Sequence, residues 1–226
     1  MNSRGVFSRS TSVPPYKGID TLRKWIKTVA DGEYAGVEKT IVDKLVEMND
    51  HVIDLEMAIP AWKQPKVAVR MDLVAIENGK VVFWEAKTVD DSRIRCRTDF
   101  EEDKFPHVLK QLSEYRIFLD QDCHREQVGR VYQKTAELLV NLRELADKIG
   151  PTLALGDSIK DASKADKLEV ERQAALVVVD LPPYNQREDK KGAWASWKAS
   201  YEGKLLGKIP MLVLRSPGSL VFPGAK

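Results

Sequence analysis

The sequence predicts an α/β protein built on a mixed sheet flanked by helices. Three observations carry that prediction. Apolar residues recur at helical spacing in some segments and alternate in others, in the order helix, three strands, helix pair, strand, helix, strand. Two β-rich runs are joined by Asn78-Gly79, a strong hairpin signal, because a type I′ turn needs positive φ at both central residues. The run Ala174–Leu181, apolar but for Asp180, has the character of a strand buried on both faces, as in the parallel part of a sheet.

Taken in order, residues 1–18 read as a flexible arm, polar and free of acids over MNSRGVFSRSTSVPP, with some flavour of an organellar transit peptide. Residues 19–226 are expected to form a single domain. A short helix is predicted over Ile19–Val29. A stronger one follows over Glu33–Asn49, with Val37, Ile41, Val42, Leu45 and Met48 on one stripe. His51–Ile59 reads as a strand stopped by Pro60, and Lys66–Glu77 and Lys80–Val89 as the two arms of the hairpin. Asp103–Asp120 returns to helix, tolerating Pro106 in its first turn, with Val108, Leu112, Tyr115 and Leu119 aligned. A long helix over Glu126–Ile149 and a polar stretch to Lys167 read as a helical elaboration of the domain. After the strand Ala174–Leu181, a helix carrying Trp194, Trp197 and Tyr201 precedes a last strand, Ile209–Arg215.

Composition bounds the function. With 226 residues, 43% hydrophobic, the chain has material for a core, which excludes disorder, collagen and disulfide frameworks as descriptions of it. No apolar run reaches about 18 residues, so a membrane-spanning helix is not expected and a reduced, cytoplasmic setting fits. Cys96 and Cys123 are too few for a four-thiolate metal or iron–sulfur site. The net charge of +2 leaves room for a local basic groove.

The hairpin concentrates the chemistry. If residues 78 and 79 form the turn, Glu77 faces Lys80, Val74 faces Phe83, Asp72 faces Glu85 and Arg70 faces Lys87. Alternation then sets Arg70, Asp72, Glu85 and Lys87 on one face, and Val69, Met71, Leu73 and Ala75 with Val82, Trp84 and Ala86 on the other, wholly apolar, face. Opposed carboxylates repel unless a cation lies between them, and a divalent ion with a preference for oxygen ligands would serve. The ordinary alternative is a half-exposed sheet with cross-strand pairs Arg70–Glu85 and Asp72–Lys87. Glu38 lies on or beside an apolar stripe, where an acid needs a partner. Gln111 and Tyr115 stack one turn apart beside the next stripe, able to hydrogen-bond a site.

Asp72, Glu85-Ala86-Lys87 and Gln111-Leu112-Ser113-Glu114-Tyr115 together resemble the motifs of the PD-(D/E)xK nuclease superfamily, and Gln-x-x-x-Tyr those of its RecB-like branch. The helix bearing Glu38 and the strand Ala174–Leu181 complete an order similar to the αβββαβ restriction-endonuclease-like core. Met71 stands where many members have Pro, and His51 is the one candidate for the upstream His of some RecB-like members. The resemblance implies a Mg²⁺-dependent hydrolase (Mn²⁺ can replace Mg²⁺) acting on DNA phosphodiesters, RecB-like exonuclease type more than endonuclease. Asp72, Glu85, the Ala86 carbonyl and Glu38 would bind metal, Lys87 would handle the nucleophile or phosphoryl charge, and Gln111 and Tyr115 would orient them. Arg70, with Arg93, Arg95 and Arg97 at alternate positions past the motif lysine, would track DNA phosphates, against a solvated loop paired to Glu101, Glu102 and Asp103. A second copy or a helicase or recombination partner would fit such an enzyme. The rival is a catalytically inactive DNA-binding or scaffold protein that keeps the fold.

Overall fold

The computed structural model describes residues 17–29, 37–59, 69–89, 91–94, 107–150, 155–181, 205, 207–216 and 222. The chain divides into two compact units, Met1–Thr40 and Ile41–Lys226. In the first, helix α1 (Ile19–Val29) carries Asp20 in its first turn, ion-paired to Arg23 at 3.4 Å on an exposed surface. The boundary falls inside α2 (Val37–Met48), which contributes Ile41 and Leu45 to the second unit as buried residues. The predicted helix carrying Trp194, Trp197 and Tyr201 lies outside the described residues.

The second unit is a mixed six-stranded sheet with helices on it. Strands β1 (Val52–Ile59), β2 (Val69–Glu77) and β3 (Lys80–Thr88) form an antiparallel meander. Two helices follow, α3 (His107–Leu119) and α4 (Asp122–Ala146), then a short α5 (Asp157–Ala162). The two-residue β4 (Glu169–Val170) pairs parallel with the start of β3, and β5 (Ala175–Val179) and β6 (Met211–Leu214) extend the sheet in parallel. The order is β1-β2-β3-β5-β6. All five residues of β5 are buried, as its apolar run predicts. The sequence does not announce β4, since two residues carry no periodicity to read.

The turn forms as predicted. Asn78 and Gly79 have φ of 51° and 75°, and the ladder runs from Glu77–Lys80 through Val74–Phe83 to Leu73–Trp84. There it stops. The Ala86 amide donates to the Asp72 Oδ2 atom at 2.8 Å, so a side-chain carboxylate takes a donor that a regular hairpin gives to backbone. The alternation breaks with it: Met71 packs with Val74, Ile76 and Phe83, whereas Leu73 packs with Ala75, Trp84 and Ala86 on the opposite face. The expectation that Met71 shares Leu73's face is therefore corrected, as are the expected backbone pairs Asp72–Glu85 and Arg70–Lys87. In β1, Glu56 lies opposite this break, between the pairs Leu55–Leu73 and Met57–Met71, and takes a left-handed φ of 49°.

One sheet face is covered by α3, α4 and α5 through Val108, Leu112, Tyr115, Tyr132 and Ile159; the other carries Ile41, Leu45 and Phe222 over Trp84 and Val177. Helix α4 approaches so closely that a Cβ on Gly129 would collide with the Leu168 carbonyl oxygen. Alanine in a helix interior ordinarily stabilises relative to glycine by up to about 1 kcal/mol. Gly129→Ala is expected to reverse that sign and destabilise by about 1–3 kcal/mol, because the obstacle is backbone; urea denaturation checks it.

Candidate active site

β3 is the strand where the antiparallel and parallel halves of the sheet meet, so both of its flanks are paired. Its residues from Phe83 onward sit deep in the fold, and Phe83 through Val89 are all buried. Glu85 and Lys87, two residues apart on this strand, share one side. Each is 1% exposed, whereas the Asp72 side chain retains 23% exposure and is the cluster's contact with solvent.

The three charged groups meet. The Lys87 ammonium donates to Glu85 Oε1, to Asp72 Oδ2 at 3.3 Å and to the Ala86 carbonyl at 2.8 Å. The cation between the two acids, which their repulsion demands, is therefore the lysine of the same hairpin. From α3, Gln111 Nε2 donates to Glu85 Oε1 at 2.8 Å and to the Tyr115 hydroxyl at 3.1 Å. The Tyr115 hydroxyl donates to the Arg70 carbonyl and lies 3.4 Å from Glu85 Oε2. Burial, reinforced by the Glu85 carboxylate, raises the Tyr115 pKa far above that of a free phenol, so it remains a donor. The helix thereby ties β2 and β3 together at the point where their ladder has opened.

No known family model, curated protein or solved structure matches this chain.

Asp72, Glu85, Ala86, Lys87, Gln111 and Tyr115 thus gather at one place. Among the described residues, the side chains of the candidates Arg70 and Arg93 do not. The Arg70 side chain points away, 68% exposed and 3.9 Å from Glu56, and only its carbonyl joins the cluster. Arg93 is bonded by Asp91, its Nε at 3.0 Å from Oδ1 and its Nη2 at 2.6 Å from Oδ2, while Glu101, Glu102 and Asp103 lie outside the described residues. Asp91 is a residue the sequence reading missed. Burial works to raise its pKa, but hydrogen bonds and charge from Arg93, with the charge of Lys87, lower it overall. Asp180, buried just past β5 with Arg215 Nε at 3.5 Å, was missed too; its one sequence signal is an acid directly ending an apolar run. Arg95, Arg97 and the side chain of Glu38 lie outside the described residues. Among the described residues no group of three His, Cys, Asp or Glu side chains is placed to hold a metal ion. No described helix is long and apolar enough to cross a membrane.

His51 is not brought to the cluster. Its carbonyl accepts the Ile76 amide at 3.0 Å, near the turn end of β2, and its fully buried ring meets Phe222 edge-on at 6.1 Å. Among the described residues neither ring nitrogen has a hydrogen-bond partner. Burial lowers its pKa from 6.5 despite the opposing pull of Asp50. The unfolded chain therefore binds this proton more readily than the native one, so stability present above about pH 6.5 is lost as pH falls below it. The thermal midpoint is expected to drop between pH 7.5 and 5.5, and by less in His51→Gln; equal drops in both would refute this assignment.

Proposed function

We propose that the chain is a divalent-cation-dependent nuclease that hydrolyses DNA phosphodiester bonds, on a restriction-endonuclease-like core of the PD-(D/E)xK type and its RecB-like branch. The observation that carries this reading is the convergence of Asp72, Glu85, the Ala86 carbonyl and Lys87 with Gln111 and Tyr115. The succession α2, β1–β2–β3, α3, β5, with β5 parallel to β3, supports it.

The donor set suits a hard cation. Three oxygens, from Asp72, Glu85 and the Ala86 carbonyl, already meet one positive nitrogen, and among the described residues no sulfur or imidazole joins them. These oxygens would hold Mg²⁺ or Mn²⁺, with Glu38 as a candidate for a further ion. Bound there, the ion would supply charge neutralisation at the phosphate and an acidified water. The chain's own groups do the rest. Gln111 fixes one Glu85 oxygen, and Tyr115 holds β2 in place through the Arg70 carbonyl. The Lys87 ammonium provides a compact positive charge for the phosphoryl oxygens. Arg70, exposed on β2, and Arg93, Arg95 and Arg97 beyond β3 would contact flanking phosphates. Exonuclease action is favoured over endonuclease, in repair, recombination, phage or defence, in the cytoplasm, with a second copy or a helicase as associate.

Incubation of linear, covalently closed circular and single-stranded DNA and of RNA with the protein and Mg²⁺ or Mn²⁺ tests this. Cation-dependent loss of linear DNA, abolished by chelation and sparing closed circles, is the expected result. Survival of every substrate in both cations would overturn it. One observation favours a second reading, a non-catalytic DNA-binding or scaffold protein: Glu85 and Lys87 are almost wholly buried and satisfy one another. That protein would retain DNA in a shift assay while cleaving none.

A further inference from the structure

Lys87 fills the place where the two carboxylates converge. Its side chain has no solvent exposure, and among the described residues it donates to Asp72, Glu85 and the Ala86 carbonyl, the same oxygens a divalent ion would take. An ammonium and a divalent cation cannot share those oxygens, since both are positive and the Glu85 carboxylate is already engaged by Gln111 and Tyr115. We propose that Lys87 is an internal competitor for the cation: it plugs the oxygen cage of the cation-free protein and must withdraw for a divalent ion to enter. This deepens the cation-dependent reading above and rests on it.

Two features of the site make the exchange workable. The plug leaves Asp72 part-exposed, so a hydrated ion has one carboxylate to meet before the ammonium departs. Asp91 lies close enough to sense the Lys87 charge, so a withdrawn ammonium stays within the field of an acid. Without the plug, the buried Glu85 carboxylate would lose the Lys87 charge, a loss that costs stability until a cation arrives. The competitor thus trades cation affinity for integrity of the empty site. A site occupied by its own lysine for most of the time binds an external ion with an affinity reduced by the unoccupied fraction.

Mn²⁺ titration followed by calorimetry, on the full chain and on Lys87→Met, tests the idea. Methionine keeps an unbranched side chain one atom shorter and removes the charge. The expected result is a dissociation constant lower by roughly tenfold or more in Lys87→Met, with a larger rise of thermal midpoint on adding Mn²⁺. Binding by both proteins with equal or weaker affinity in the variant would overturn the competitor while leaving the cation site standing. Absence of Mn²⁺ uptake by either would overturn both. Should Lys87→Met fail to fold, amine acetylation of the unaltered protein gives a second reading by mass spectrometry. Lys87 is expected to resist the reagent without a cation and to become reactive in Mn²⁺; equal labelling in both conditions overturns the proposal.

Discussion

Asp72→Asn is expected to cut cation-dependent DNA cleavage by roughly 10²–10³-fold or more while leaving the protein folded. The amide oxygen of asparagine can still accept the Ala86 N–H, the bond that substitutes for a ladder contact at 2.8 Å. What disappears is the negative charge, and with it one of the two carboxylates proposed to hold a divalent ion. Lys87 keeps Glu85 and the Ala86 carbonyl as acceptors, and the Asp72 side chain is 23% exposed, so water can accommodate the change. Stability should therefore move by no more than about 1 kcal/mol. A cleavage time course on end-labelled linear DNA, run beside urea denaturation, checks both halves. Unchanged cleavage by a folded Asp72→Asn protein would refute the assigned role.

Lys87→Ala is expected to produce the largest loss of stability, about 3–5 kcal/mol, because it strands a buried charge. Glu85 is 1% exposed, and the Lys87 ammonium is a positive group bonded to it. Gln111 and Tyr115 offer dipoles and no charge, so they cannot replace it. The same logic predicts strong coupling. Removing both partners as Glu85→Leu with Lys87→Met should recover much of the loss, since an apolar pair of similar volume carries no desolvation penalty. A double-mutant cycle read by urea unfolding without divalent ions provides the measurement. Additive effects of the two substitutions would mean that the pair is not the internal ionic unit described above.

The hairpin was legible because its determinants are local. Asn78-Gly79 dictates a turn, the turn dictates the register as far as Leu73–Trp84, and alternation then brings an acid, a second acid and a lysine toward one another. Gln111 and Tyr115 were legible as neighbours of the α3 stripe, and their target follows from the packing of that stripe on the sheet. The break at Asp72 was not, because it depends on a side chain outcompeting a carbonyl for the Ala86 amide, which pairing rules do not encode. The central cation was legible in part: the pair Asp72–Lys87 stood as the ordinary alternative and is present, whereas the bond from Lys87 to Glu85 comes from the three-dimensional placement of Nζ. The Asp91–Arg93 clamp escaped notice for a similar reason: alternate arginines suggest a track, while a single preceding acid can immobilise the first of them.

The packing on the other side of the sheet has a bearing on how the chain matures. Phe222 lies flat on Trp84 at 4.7 Å, and its amide is fixed by Asn49, a partner 173 residues earlier. The meander that houses the charged cluster joins neighbours in sequence and can assemble rapidly, but its indole stays uncapped until residue 222 has left the ribosome. During synthesis the nascent chain would therefore pass through a stage with the acids and lysine already paired and a greasy ring still open to chaperones. Trp84 emission shifting to the blue as this cap closes would report that final step.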